Sequence, residues 1–239
     1  MNLNTKMTMT KKKLAFLLIG TFGLALAMAM GAADNPAATP PAADEVWQRL
    51  VAGNEHFASN QSQNLRRSPE DFRRVAEGQN PIAIIVACAD SRVSPELLFD
   101  MGVGDLFVIR VAGNVVNGAG VTVKGSIEYA IAELKVPLIV VLGHTNCGAV
   151  KAAVQHIDKK DSLPGAINGL VELIKPAAAK VKGQAGDVYD NTTRENVRIG
   201  VERLKTLEPV IAPLVKEGRV KVVGGLYDLK TGKVELLSP

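Results

Sequence analysis

Cys88 opens the run Cys88-Ala89-Asp90-Ser91-Arg92, and His144 and Cys147 stand two residues apart in Gly143-His144-Thr145-Asn146-Cys147-Gly148. Thiolate and imidazole are the protein ligands zinc favours, and a catalytic zinc site supplies three of them while leaving a fourth position open. Cys88, His144 and Cys147 form such a set. The two-residue gap lets one turn present both of its groups to a single ion, and Gly143 and Gly148 let the backbone bend close around it. On a metal both sulfurs would be thiolates, shielded from pairing with each other. The competing reading is a structural disulfide: these are the only two cysteines, and their bridge would close a loop of about 60 residues. A lone His-x-x-Cys is a weak signal, and its combination with Cys-x-Asp-x-Arg is a strong one.

The elements that must position these residues follow from periodicity. Short, almost wholly apolar runs occur at 82–87, 106–111, 138–142 and 220–226, as expected of strands buried on both faces. Helical patterns separate them at 126–134, 148–156, 170–181 and 193–216. An amphipathic first helix is expected over 44–59, and Ser68-Pro69-Glu70-Asp71 reads as the cap and acidic first turn of a second. The alternation predicts an α/β fold: a mainly parallel sheet of four to five strands flanked by helices, with an N-terminal helical arm. Residues 233–237 are expected as a last edge strand, hairpinned onto the fourth. Open parallel sheets place their ligands beyond the carboxyl ends of the strands. Cys88 directly follows one apolar run and His144 and Cys147 another, so all three converge at one edge.

Ahead of this domain, residues 1–13 carry Lys6, Lys11, Lys12 and Lys13 and no acid, residues 14–30 are apolar, and Gly31-Ala32-Ala33 follows. Basic, apolar, then small is the order of a cleaved secretory signal, here residues 1–33, and its plain layout suits a periplasmic destination. Residues 34–43 are rich in Pro and Ala and read as a stiff linker to a single domain over 44–239. The segment 1–33 holds four of the 28 basic residues and none of the 24 acidic ones, so the remainder balances at 24 of each. The net charge of +4 therefore belongs to the export signal and points neither to nucleic acid nor, after cleavage, to a membrane as partner. Arg66, Arg67, Arg73 and Arg74 make a local basic cluster that reads as a solvated helix face.

Ala87-Cys88-Ala89-Asp90-Ser91-Arg92-Val93 and Gly143-His144-Thr145-Asn146-Cys147-Gly148 resemble the two signature motifs of the β-class carbonic anhydrases. Further likeness runs through Leu50-Val51-Ala52-Gly53-Asn54-Glu55-His56-Phe57, Arg110-Val111-Ala112-Gly113-Asn114 and Ile127-Glu128-Tyr129-Ala130. His56 departs from the arginine more often found there. The resemblance implies reversible hydration of CO2 to bicarbonate and a proton by zinc-bound hydroxide. It implies Zn2+ on Cys88, His144 and Cys147, with Asp90 and Arg92 as a dyad: Asp90 either pairs with Arg92 or swings over as fourth ligand and closes the site. A carboxylate is competent in both roles. Gln79 would donate to a substrate oxygen, Phe107 and Tyr129 would wall the CO2 site, and the Gly148 amide would hold an oxygen of the anion. Ala112 stands where a larger aliphatic residue is common, which widens the pocket and leaves sulfur analogues of CO2 as rival substrates. A non-catalytic bicarbonate- or zinc-binding protein is the rival of another class. The family's functional unit is a homodimer or a dimer-based oligomer. His56 and His156 read as surface residues, either of them suited by chemistry to shuttle protons.

Overall fold

The computed structural model describes residues 41–116, 118, 120–159 and 161–237. The expected signal segment and all but the end of the linker lie outside the described residues. Ala42 is extended and Ala43 already belongs to the first helix, so the linker stops short of residue 43.

The elements run α1 (Ala43–Ala58), α2 (Pro69–Val75), β1 (Ala83–Ala87), α3 (Pro95–Leu98), β2 (Leu106–Arg110), α4 (Gly120–Ala132), β3 (Leu138–His144), α5 (Gly148–Gln155), α6 (Ala166–Val181), α7 (Val188–Lys205), α8 (Ile211–Lys216), β4 (Lys221–Tyr227) and β5 (Val234–Leu237). The five strands form one sheet in the order β2-β1-β3-β4-β5. β1 to β4 are parallel, and β5 returns antiparallel along β4. Every residue of β1 and β3 is buried, as their unbroken apolar sequence requires of strands covered on both faces.

The connection after β1 leads to a neighbour on one side, while β3 takes up the other. The carboxyl ends of β1 and β3 therefore border the switch point, where open α/β sheets leave a crevice between diverging loops. One face of the sheet carries α4 and α7, with Ile127, Ile131, Val197 and Leu204 in its core. The other carries α1 and α3, with Val46, Trp47, Leu50, Leu98 and Phe99. A third cluster joins Cys88 and Cys147 to Val150, Val171 and Ile174 of α5 and α6.

Local chemistry explains the boundaries. Ser68 and Asp71 form a reciprocal capping box at α2, and Asp187 caps α7 by accepting from the Asp190 amide. The helix expected over 193–216 is two helices: α7 ends at Lys205, Pro209 lies in the gap, and α8 starts at Ile211. Proline lacks the amide hydrogen and its ring crowds the preceding turn, which disfavours carrying the helix across that point. The helices expected at 126–134 and 170–181 begin earlier, at Gly120 and Ala166. The apolar side chains Val46, Trp47 and Leu50 of the N-terminal arm are buried against their own domain. Among the described residues no helix is long and apolar enough to cross a membrane.

Candidate metal centre

Three backbone features bring the ligand set together. Cys88 is the first residue past β1, His144 the last of β3, and Cys147 occupies the N-cap position of α5. Asn146, between the last two, is left-handed at φ 58°, a conformation Asn tolerates better than most residues, and it turns the chain so that His144 and Cys147 face one point. The three side chains are buried, and their ligand atoms all lie within 4.8 Å of one another. Both cysteines are free thiols, so no disulfide occupies them.

The electrostatics of the cluster call for a cation. The Cys88 thiol is drawn down, first by a hydrogen bond from Cys147 and also by the amides of Asp90 and Gly113, against the cost of burial. The Gly113 amide donates to Cys88 Sγ at 3.2 Å. Cys147 is pushed up in turn, because the negative sulfur of Cys88 and burial both oppose a second charge. One negative charge between two buried sulfurs is what the protein alone sustains, and a second thiolate needs a positive ion between them. His144 Nδ1 lies 2.9 Å from the Thr145 carbonyl oxygen, which only accepts, so Nδ1 carries the ring proton. Nε2 is buried without a protein partner and offers its lone pair to the cluster. Two sulfurs and an imidazole form a donor set that suits zinc.

Asp90 stands at the rim. Arg92 grips it at two points, Nε to Oδ1 at 2.9 Å and Nη2 to Oδ2 at 2.7 Å, and the Arg92 amide donates a third bond. Asp90 Oδ2 is 3.9 Å from His144 Nε2. Arg92 holds the carboxyl well below the usual carboxylate range, more than offsetting burial.

Sequence reasoning missed Arg110 as a site residue. In the parallel register it lies beside Ala87, and its guanidinium donates to the Cys88 carbonyl at 3.2 Å and the Asp90 carbonyl at 2.6 Å. It thereby clamps the loop that carries both side chains. The available signal was a charged residue ending a strand that lies level with the Cys88 strand.

The other expected pocket residues divide into two groups. Gly148, at the first turn of α5, faces open space, and Ala112 adjoins Gly113 in the 3-10 turn Ala112–Asn114. Gln79, Phe107 and Tyr129 are not brought to the centre. Phe107 lies beside Ile84 in the register, four residues before Cys88, or about 13 Å along the strand. Tyr129 packs on Phe107 with ring centroids 6.3 Å apart and is half-exposed. Gln79 is exposed ahead of the amino end of β1. His56 pairs with the buried Asp100 at 3.5 Å and His156 with Asp161 at 2.8 Å.

Comparison with known proteins agrees with this geometry. The family model described as carbonic anhydrase matches residues 83–234, from β1 to the start of β5. The carbonic anhydrase of Mycolicibacterium smegmatis is 38% identical over 203 residues, covering 85% of this chain and 96% of the relative. Among solved structures, the β-carbonic anhydrase CcaA superposes with a TM-score of 0.64 at 26% identity, covering 81% of this chain and 100% of that one. The Coccomyxa β-carbonic anhydrase, solved in complex with acetazolamide, gives 0.62 at 31%, covering 82% of this chain and 83% of its own. A parallel sheet whose switch point gathers two thiols and an imidazole, matched over nearly the whole length of such relatives, makes this chain a member of the β-class carbonic anhydrases, lyases that hydrate CO2 to bicarbonate.

Proposed function

We propose that Cys88, His144 and Cys147 hold one Zn2+ and that Asp90 and Arg92 act as a dyad controlling access to its fourth position. The observation that carries this reading is the geometry: a buried His144 Nε2 with no hydrogen-bond partner, in a cluster whose three ligand atoms all lie within 4.8 Å of one another. Bound there, zinc supplies the Lewis acidity that lowers the pKa of a water to about 7. The protein does the rest: Arg92 withholds the Asp90 carboxylate from the metal, Arg110 fixes the loop beneath, and Gly148, exposed at the first turn of α5, is the residue whose amide would hold an anion oxygen. The test is zinc content measured with CO2 hydration. About one zinc per chain is expected for a three-ligand site, with both thiols resistant to oxidation while it is bound. Active, metal-free protein carrying a disulfide between Cys88 and Cys147 would refute the reading.

The active unit in this proposal is a dimer in which Gln79, Phe107 and Tyr129 wall the site of the second copy. Two features support it. These residues lie too far along the sheet to serve their own centre, and the β2 side of the domain is unfinished. Leu65, Phe72, Leu97 and Val103 are exposed around the segment leading into β2, and Leu106, Phe107 and Val108 of that edge strand are only half-buried. Unpaired edges with apolar surroundings invite a partner chain. Residues 1–33 are proposed to direct export to the periplasm, on their order of basic, apolar and small residues. The amino terminus of protein recovered from the periplasm should then lie close to Asp34, and an intact Met1 there would overturn the proposal.

A further inference from the structure

We propose that Thr145 and Asp228 are positioning residues for the metal centre: together they lock the peptide whose carbonyl fixes the tautomer and ring orientation of His144. The inference rests on the zinc reading above.

Every polar group of Thr145 is engaged. Its amide donates to the Tyr227 carbonyl at the end of β4, at 2.9 Å. Its hydroxyl oxygen accepts from the Leu229 amide at 3.0 Å and donates to Asp228 Oδ1 at 3.3 Å. Its carbonyl is the partner of His144 Nδ1. Asp228 is held just as fully, for its carboxylate accepts from the Lys230 amide at 3.0 Å and the Thr231 hydroxyl at 2.9 Å. Its own amide donates to the Lys233 carbonyl at 2.8 Å, and its carbonyl accepts from the Gly232 amide at 2.9 Å. The β4–β5 turn is thus a rigid block with one side chain aimed at the residue that follows the metal ligand.

The consequence for His144 is geometric. Its Nδ1 and the Thr145 carbonyl are adjacent in the chain, so displacing Thr145 moves the acceptor off the ring. With the acceptor displaced, the imidazole is free to change tautomer or to turn Nδ1 toward the sulfurs. Thr145 cannot shift without surrendering its bonds to Tyr227, Asp228 and Leu229. The carbonyls and carboxylates that accept from metal-bound histidines elsewhere act by the same logic, and disturbing such partners typically costs about 10- to 100-fold in metal affinity or activity.

The experiment uses the zinc-loaded protein and Thr145→Val, which keeps the branched side chain and removes the hydroxyl, with Thr145→Ser as the conservative variant. Zinc affinity is read by competition with a chromophoric chelator, and geometry by the visible spectrum of the Co2+-substituted protein. Thr145→Val should bind zinc about 10- to 100-fold more weakly and shift the Co2+ spectrum, and Thr145→Ser should restore both. In zinc-loaded wild type, nitrogen NMR should show a protected proton on His144 Nδ1. Zinc affinity within about twofold of wild type together with an unchanged spectrum would overturn the inference. So would Nδ1 on the metal in wild type, a reading that needs no variant to fold. Equal loss of unfolding temperature in metal-free and zinc-loaded Thr145→Val, without a spectral change, would mean that the bonds merely stabilise the turn, and would also overturn it. Wild type that binds neither metal would instead bring down the zinc reading, and this inference with it.

Discussion

Arg92 and Asp90 set a competition whose outcome can be measured. Arg92 offers the carboxylate two charge-assisted bonds and its own amide, and such charged bonds are stronger than neutral ones. The guanidinium is substantially exposed, so solvent screening weakens the pair. In Arg92→Ala the carboxylate loses both side-chain bonds and is released to compete for the metal. The variant should retain zinc, take Asp90 as a fourth ligand and lose CO2 hydration by orders of magnitude at neutral pH, recovering part of it in alkaline buffer as hydroxide competes. Asp90→Asn should leave the position open but the rate low. X-ray absorption on both variants beside hydration rates decides the matter, and an open, near-normally active Arg92→Ala enzyme would show that the pair is no gate. At this scale the three proposed ligands were legible because Cys88 and His144 stand at the ends of apolar runs that are strand termini, and Cys147 follows one turn later. Arg110 was not, since an arginine closing a strand usually reads as a solvent-facing stop, and its role depends on which strand lies alongside.

The elements show what holds those residues at the switch point. Asn54 of α1 is buried and donates to the Leu98 and Gly232 carbonyls at 3.0 and 2.9 Å while accepting from the Val234 amide at 2.8 Å. One side chain thereby ties α1 to α3 and to the β4–β5 turn. Asn54→Ala strands those peptide groups and should cost about 3 kcal/mol, lowering the thermal midpoint by roughly 6–12 °C for a domain of this size. Gly53→Ala should be worse, since its Cβ would fall 1.9 Å from the Phe99 carbonyl oxygen and force α1 off α3. Calorimetry of the two variants checks both the direction and the order. A weaker tie joins α7 to β5, where Arg194 meets Glu235 at 3.0 and 2.9 Å and lowers the Glu235 pKa. A depressed carboxyl contributes stability above its unfolded pKa, about 4.3, and loses it as pH falls through the folded value. The small difference in unfolding midpoint between wild type and Glu235→Gln should therefore shrink as pH falls from neutral through 4 toward 3, and a difference that persists at pH 3 would contradict it. Strand order of this kind cannot be read from periodicity, although strand existence can, and all five expected strands are present. The expected helix over 193–216 failed because apolar spacing continues across Pro209 while the backbone cannot.

At the scale of the molecule, the placement of Gln79, Phe107 and Tyr129 separates a complete site from half of one. The β-class motifs supplied these residues, but sequence carries no information about which copy of the chain they serve. Strand geometry bears on the question, because Phe107 sits beside Ile84 while Cys88 lies past the other end of β1. If the second copy completes each site, two defective chains should repair one another. Gln79→Ala keeps its metal ligands and lacks the donor, whereas Cys88→Ala keeps the donor and lacks a ligand. In a hybrid dimer, the intact metal set of the first would meet the intact Gln79 of the second, giving one working centre in two. Random pairing of equal amounts makes half the dimers hybrid, so a co-refolded mixture should reach about a quarter of wild-type activity when two copies share each interface by symmetry. Each variant alone should stay far below that level. A mixture no more active than the average of its parents, at a concentration where sedimentation shows dimers, would mean that Gln79 acts within its own chain or not at all. Val103→Glu should act one step earlier, placing a charge on the exposed apolar surface beside β2, and should lower association and hydration together while leaving zinc bound.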